Sequence, residues 1–119
     1  MVLVHGAGMD RTVWQFQTRA LAAAGHDVYA VDLPGHGLSE GPAPTTIGGY
    51  ADWLVAFLEV AGLDRAIVVG HSMGALVALD VAGRWPDRIS ALVLVGVAAR
   101  MPVHPELLAA AEGNDHLAF

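Results

Sequence analysis

The stretch Ile67-Val68-Val69-Gly70-His71-Ser72-Met73-Gly74 decides how this chain is read. A β-branched, continuously apolar run is what a strand buried in a parallel sheet needs. It passes directly into a pentapeptide with glycine at each end and serine at the centre, and a helical pattern starts at Met73. A serine on so tight a strand-to-helix turn projects its hydroxyl above the sheet. Gly70 and Gly74 remove side chains where strand and helix crowd together. The backbone N–H of Met73, in the first turn of a helix, has no intrahelical acceptor and can face a developing negative charge.

Three further apolar runs lie around this one: Val2–Val4, Val28–Val31 and Leu92–Val95. Between the strands fall three helical patterns. The first, from about Asp10 to Ala24, has Asp10 as N-cap, Gly25 as its terminating glycine and Val13, Phe16, Ala20 and Ala24 at helical spacing. The second, from about Ile47 to Ala61, has Thr46 as cap and Gly62 as stop. Tyr50, Leu54, Phe57, Leu58 and Ala61 form its apolar stripe. The third, Met73 to about Arg84, offers Leu76, Val77, Leu79 and Ala82 for packing and ends at Trp85-Pro86-Asp87. The order β-α-β-α-β-α-β specifies an α/β fold, with about four parallel strands and helices on both faces in three layers, α/β/α.

Composition narrows the function. The chain has 119 residues, 55% of them hydrophobic, enough to bury a core. Its formal charge of -6 argues against nucleic acid as a partner. Cysteine is absent, which excludes disulfides, Cys-ligated zinc and a thiol nucleophile. No apolar run is long enough to span a bilayer, and Met1-Val2-Leu3-Val4 lacks the pattern of a signal peptide, so a cytoplasmic location is expected.

Two loops accompany the serine turn. His5-Gly6-Ala7-Gly8 follows the first strand, where its glycines let the backbone turn sharply and present N–H groups. Ala7 is the expected second donor beside Met73. A dinucleotide-binding turn is the alternative: Gly6-Ala7-Gly8 is a G-x-G, and Asp32 lies at about the distance of a ribose carboxylate, but Arg11 stands where a third glycine belongs. A phosphate loop of the G-x-x-x-x-G-K-[ST] kind does not fit the spacing, and the chain has no lysine. Asp32-Leu33-Pro34-Gly35-His36-Gly37-Leu38-Ser39 follows the second strand as a rigid Pro-Gly loop. Asp32 and His36 are expected to hold that loop by local hydrogen bonds rather than to form a catalytic pair.

Taken together, H-G-x-G, D-L-P-G-H-G-x-S and G-H-S-M-G, in this order over Met1 to Arg100, resemble the α/β-hydrolase superfamily in its esterase- and lipase-like branch with an inserted cap. The resemblance implies a partial hydrolase core over 1–100 and the start of a cap over 101–119. In its strand order the first strand lies between the second and third, so that the loops carrying Ala7 and Ser72 meet. It also implies Ser72 as nucleophile toward a carboxylic ester or related small acyl compound. The N–H groups of Ala7 and Met73 would form the oxyanion hole, with His5, Gly6, Gly8, Gly70, His71 and Gly74 in support and no metal or organic cofactor. Serine at 72 argues against the members with an aspartate nucleophile. Cofactor-free haloperoxidases, C–C hydrolases and acyltransferases share the serine.

The family's acid and histidine follow later strands, which are not recognised here. His104 lies in the Pro102–Pro105 hinge before a short helix expected over Glu106–Glu112, and His116 lies beyond it. The expectation is a chain that places the nucleophile but lacks its base, and is nearly inactive on esters by itself. Two other readings stand beside it: a non-catalytic ligand-binding scaffold derived from a hydrolase, and a nucleotide-binding half-domain.

Overall fold

The computed structural model of the chain describes residues 1–96. The expected cap segment 101–119, the helix over Glu106–Glu112, His104 and His116 lie outside the described residues. Strand β1 spans Val2–Val4, β2 Tyr29–Val31, β3 Ala66–His71 and β4 Ile89–Val95. Helix α1 spans Gln15–Ala23, α2 Ile47–Val60 and α3 Met73–Arg84. A 3₁₀ turn over Arg11–Trp14 leads into α1, and another over Pro86–Arg88 leads into β4.

The sheet has four parallel strands in the order β2-β1-β3-β4. Val4 sits beside Val31 on one side and Gly70 on the other, so the C-terminal ends of three strands are level. The chain runs outward in opposite directions from β1, first to β2 and later to β3. With right-handed crossovers, that reversal puts α1 on one face and α2 and α3 on the other. A crevice opens at such a switch point, above the strand ends.

The helix boundaries follow local chemistry. The Asp10 side chain accepts from the Thr12 N–H, and Thr46 Oγ1 accepts from the Gly49 N–H at 3.0 Å, each satisfying an orphan donor. Gly25 and Gly62 end α1 and α2 with positive φ. The core lies between the sheet and the α2–α3 layer: Val2, Val4 and Val68 from the strands meet Leu54, Leu58, Val77 and Val81 from the helices. Arg84 ties the two helices together through Asp52, Asp80 and the Gly48 carbonyl.

Three expectations about packing are corrected. β4 is not buried on both faces: Leu92 and Leu94 pack against the core, whereas Val93 and Val95 are 47% and 43% exposed. No described layer covers that face. Val13 and Phe16 do not form a buried stripe; they are 44% and 71% exposed, and Trp14 is buried instead. The 3₁₀ turn advances about 120° per residue rather than about 100°, which shifts the phase of the face it presents. In α3 the buried positions are Ala75, Val77, Ala78 and Val81, while Leu79 points outward. Small side chains there let the helix lie close to the strands. Among the described residues no helix is long and apolar enough to cross a membrane.

Candidate active site

Ser72 is the one non-glycine residue with positive φ among those described, at φ 54° and ψ -116°. It occupies the N-cap of α3, directly after β3. This backbone region is costly for a residue with a Cβ, by about 1–3 kcal/mol, and persists only where the surroundings enforce it. The enforcement is visible. The Ser72 N–H donates to the Val95 carbonyl at 2.9 Å, and the Ser72 carbonyl accepts from Ala75 and Leu76. Ser72→Gly is therefore expected to be more stable than Ser72→Ala by about 1 kcal/mol, because only glycine relaxes at this φ. Equal melting midpoints in urea would contradict that strain.

The flanking glycines are required by close approach. A Cβ on Gly70 would lie 2.6 Å from the Gly74 carbonyl carbon and 2.7 Å from Ala75 Cα. A Cβ on Gly74 would lie 2.6 Å from the His5 carbonyl oxygen and still closer to that of Val4. The start of α3 is thus seated on the end of β1.

The structure brings His5-Gly6-Ala7-Gly8 to the serine. A Cβ on Gly6 would meet Ser72 Cβ at 3.3 Å and the His71 carbonyl oxygen at 3.4 Å. Gly8 has φ 71°, and the Met9 N–H returns to the Gly6 carbonyl at 3.2 Å, closing a tight turn. His5 is fully buried behind this loop. Its Nδ1–H donates to the Gly6 carbonyl at 2.7 Å, and its Nε2 accepts from the Leu33 N–H at 3.0 Å. Burial pushes the His5 imidazole below its ordinary value of 6.5, and the neighbouring His36 adds to this; the Gly6 bond, Asp32 and Asp10 act the other way. A group held neutral in the fold contributes stability that is complete above its unfolded value. Stability is therefore expected to fall as pH drops below about 6.5, through the lowered folded value. A flat urea midpoint between pH 7.5 and 5 would contradict this.

Asp32 and His36 hold the second loop, partly through the local hydrogen bonds expected and partly through the distant residues Arg11 and Gly8. The Asp32 carboxylate accepts from the Arg11 N–H at 2.8 Å, the Arg11 guanidinium at 2.6 Å and the Leu38 N–H at 3.0 Å. Burial raises the pKa of this carboxyl, but the Leu38 and Arg11 hydrogen bonds and the Arg11 charge outweigh it, so the net shift is downward. Its contribution to stability is present above the unfolded value of 3.8 and is lost as pH falls through the lowered one. Asp32→Asn is expected to cost about 1–3 kcal/mol at pH 7 and to flatten the stability profile below pH 4. Thermal melts of both proteins at pH 7 and pH 3 measure this directly. The same engagement leaves no open carboxylate for a ribose, which removes the main support for a nucleotide site.

His71 lies edge-on to Trp14, with ring centroids 6.5 Å apart. Met9, Val13, Trp14, Gln17, His71 and Val95 line an open, largely apolar cleft of about 370 Å³. Two residues that shape this region, Arg11 and Trp14, carry no local mark in the sequence. Arg11 was legible only as a non-glycine, although it clamps Asp32. Trp14 was masked by its apolar neighbours. Among the described residues no group of three or more His, Asp or Glu side chains is arranged to hold a metal.

Residues 1–116 match the family model described as the alpha/beta hydrolase fold. The chain is 40% identical over 110 residues to a pimeloyl-[acyl-carrier protein] methyl ester esterase of Aromatoleum aromaticum, covering 92% of this chain and 42% of that protein. It is 41% identical over 96 residues to a dihydrolipoyllysine-residue acetyltransferase component of an acetoin cleaving system of Cupriavidus necator, covering 80% of this chain and 25% of that one. Among solved structures, Est816, an N-acyl homoserine lactone degrading enzyme, superposes with a TM-score of 0.79 at 31% identity, over 95% of this chain and 44% of that one. The chain thus spans between a quarter and less than half of the length of these relatives. A parallel sheet reversing at β1, a serine held at positive φ beneath a glycine loop, and a family match over nearly the whole sequence lead to one assignment: the chain belongs to the α/β-hydrolase family.

Proposed function

We propose that the protein is a serine hydrolase in which Ser72 attacks the carbonyl carbon of a carboxylic ester or related acyl compound. The observation that carries this reading is the backbone of Ser72 itself, a strained positive φ at the junction of β3 and α3, next to a loop of turned glycines. Strain of this kind at a serine aligns the hydroxyl for attack and places the first N–H of α3 beside it. In the proposed mechanism the N–H groups of Met73 and Ala7 bind the oxyanion of the tetrahedral intermediate. Met73 is the first residue of α3, so its N–H belongs to the donors that no helical carbonyl satisfies. Names of relatives support the same reading: one is a methyl ester esterase, and another is an N-acyl homoserine lactone degrading enzyme.

The four described histidines do not suit the role of base. Both ring nitrogens of His5 and of His36 are engaged by backbone groups. His71 packs against Trp14, and His26 precedes β2 at the N-terminal end of the parallel strands, whereas Ser72 follows the C-terminal end of β3. The base and its carboxylate are accordingly assigned to chain beyond residue 96. No cofactor is needed for this chemistry, and a cytoplasmic location fits it. The test is to expose the full-length gene product to a fluorophosphonate and map the adduct. Phosphonylation of Ser72 that disappears in Ser72→Ala supports the reading. Ester hydrolysis that persists in that variant overturns it.

A further inference from the structure

His36 lies in the second loop, 28 positions along the chain from the residue it contacts in the glycine loop. Its Nε2 accepts the Gly8 N–H at 3.1 Å, and its Nδ1–H donates to the Pro34 carbonyl at 3.0 Å. A carbonyl can only accept and an N–H can only donate, so these partners fix the ring as the neutral Nδ1–H tautomer. His5, beside it, is fixed in the same tautomer by the Gly6 carbonyl and the Leu33 N–H. The two rings are 5.1 Å apart, and Tyr50 packs edge-on against His36 at 6.2 Å.

The two imidazoles therefore cross-link the loops in opposite directions. His5 leaves the end of β1 and reaches the second loop at Leu33; His36 leaves the second loop and reaches back to Gly8. Between them they set consecutive peptides of the glycine loop. The Gly6 carbonyl is held by His5 Nδ1–H and the Met9 N–H. In a planar trans peptide the next N–H points the opposite way, so these two bonds aim the Ala7 N–H. The Gly8 N–H is drawn to His36, which fixes the following peptide and keeps it from rotating about the φ of Gly8.

We infer that His36, acting with His5, is a positioning residue for the oxyanion hole, a neutral two-imidazole clamp that orients the Ala7 peptide through Gly6 and Gly8. This rests on the reading of Ala7 as an oxyanion donor. The charged groups around the clamp are Asp32 and Arg11 in the second loop and at the 3₁₀ turn, and Asp10 before that turn. None of them occupies a ring nitrogen of either histidine, all four of which are taken by the backbone.

The test has a spectroscopic arm and a kinetic arm. Long-range proton–nitrogen spectra of the full chain at pH 7.5 are expected to show both rings protonated on Nδ1 and bare on Nε2. His36→Phe keeps a ring against Tyr50 but has no acceptor, and is expected to speed hydrogen exchange at the Gly8 amide by about tenfold or more. In the full-length gene product the same variant is expected to lower kcat on an activated ester about 10- to 100-fold with little change in KM. His36→Gln, whose side-chain oxygen can accept from Gly8, should recover part of that loss. Nε2 protonation of His36 in the unmodified protein, or unchanged Gly8 exchange in His36→Phe, overturns the clamp. Full kcat in His36→Phe with the Gly8 bond lost overturns its role in catalysis. If Ser72→Ala leaves hydrolysis intact, the proposed function fails, and the spectra alone still decide whether the clamp exists.

Discussion

Ser72→Ala is expected to lower kcat for ester hydrolysis by the full-length gene product about 10⁴- to 10⁶-fold, with little effect on KM. The size follows from what the side chain does in the proposed mechanism. It forms the bond to carbon, and an alanine leaves only binding and oxyanion stabilisation, which retain a small residual rate. The fold should survive, because the backbone anchors of Ser72 do not depend on its side chain: its N–H bonds Val95 and its carbonyl caps the first turn of α3. Steady-state rates and a urea melt on the same preparation separate the two effects. Loss of activity together with loss of fold would leave the serine as a structural residue and contradict the account. Oxyanion stabilisation is a smaller contribution, worth about 10²–10³ in kcat for each donor, so disturbing the glycine loop should cost less than removing the nucleophile.

The second large effect concerns folding. Gly74→Ala is expected to destabilise the protein by about 4 kcal/mol or more, a substantial part of the roughly 5–15 kcal/mol that holds a domain together. The added methyl would be driven into the Val4 and His5 carbonyl oxygens, at the seam where α3 rests on β1. The Val4 carbonyl belongs to a strand paired on both sides, and that of His5 follows directly after it, so neither has room to retreat. Gly83 supplies the control within the same helix. A Cβ there meets nothing within 4 Å, so Gly83→Ala should stabilise by about 0.5–1 kcal/mol through helix propensity. Opposite signs for two identical substitutions in one helix, read from chemical denaturation, test the close approach. A tolerated Gly74→Ala would mean that the α3–β1 seam is looser than the structure shows.

Much of this was legible in the sequence because backbone constraints leave strong local marks. The glycines at 70 and 74, the apolar run before them and the helical run after them imply the turn at Ser72. The turn glycines Gly25 and Gly62 and the caps Asp10 and Thr46 are read from residue type alone. The β2-β1-β3-β4 order agrees with the order implied by the family resemblance.

What sequence could not supply was burial and long-range polar pairing. An apolar β4 reads like any central strand, and only its place at the end of the described sheet exposes Val93 and Val95. The 3₁₀ turn before α1 shifts the helical phase, so spacing picked Phe16 and overlooked Trp14. Arg11 and Asp32, and Gly8 and His36, are pairs separated by 21 and 28 positions. No local pattern marks such pairs; the strands bring them together. His36 in particular reads as a loop histidine until the topology sets its ring under Gly8.

The central claim is that Ser72 is the nucleophile, and mapping of the fluorophosphonate adduct tests it most directly. The account predicts a single adduct on the peptide containing Ser72 in the native full-length gene product. It should be absent from Ser72→Ala and from protein denatured before exposure. An adduct on a different serine, with Ser72 unmodified in a protein that hydrolyses esters, would contradict it.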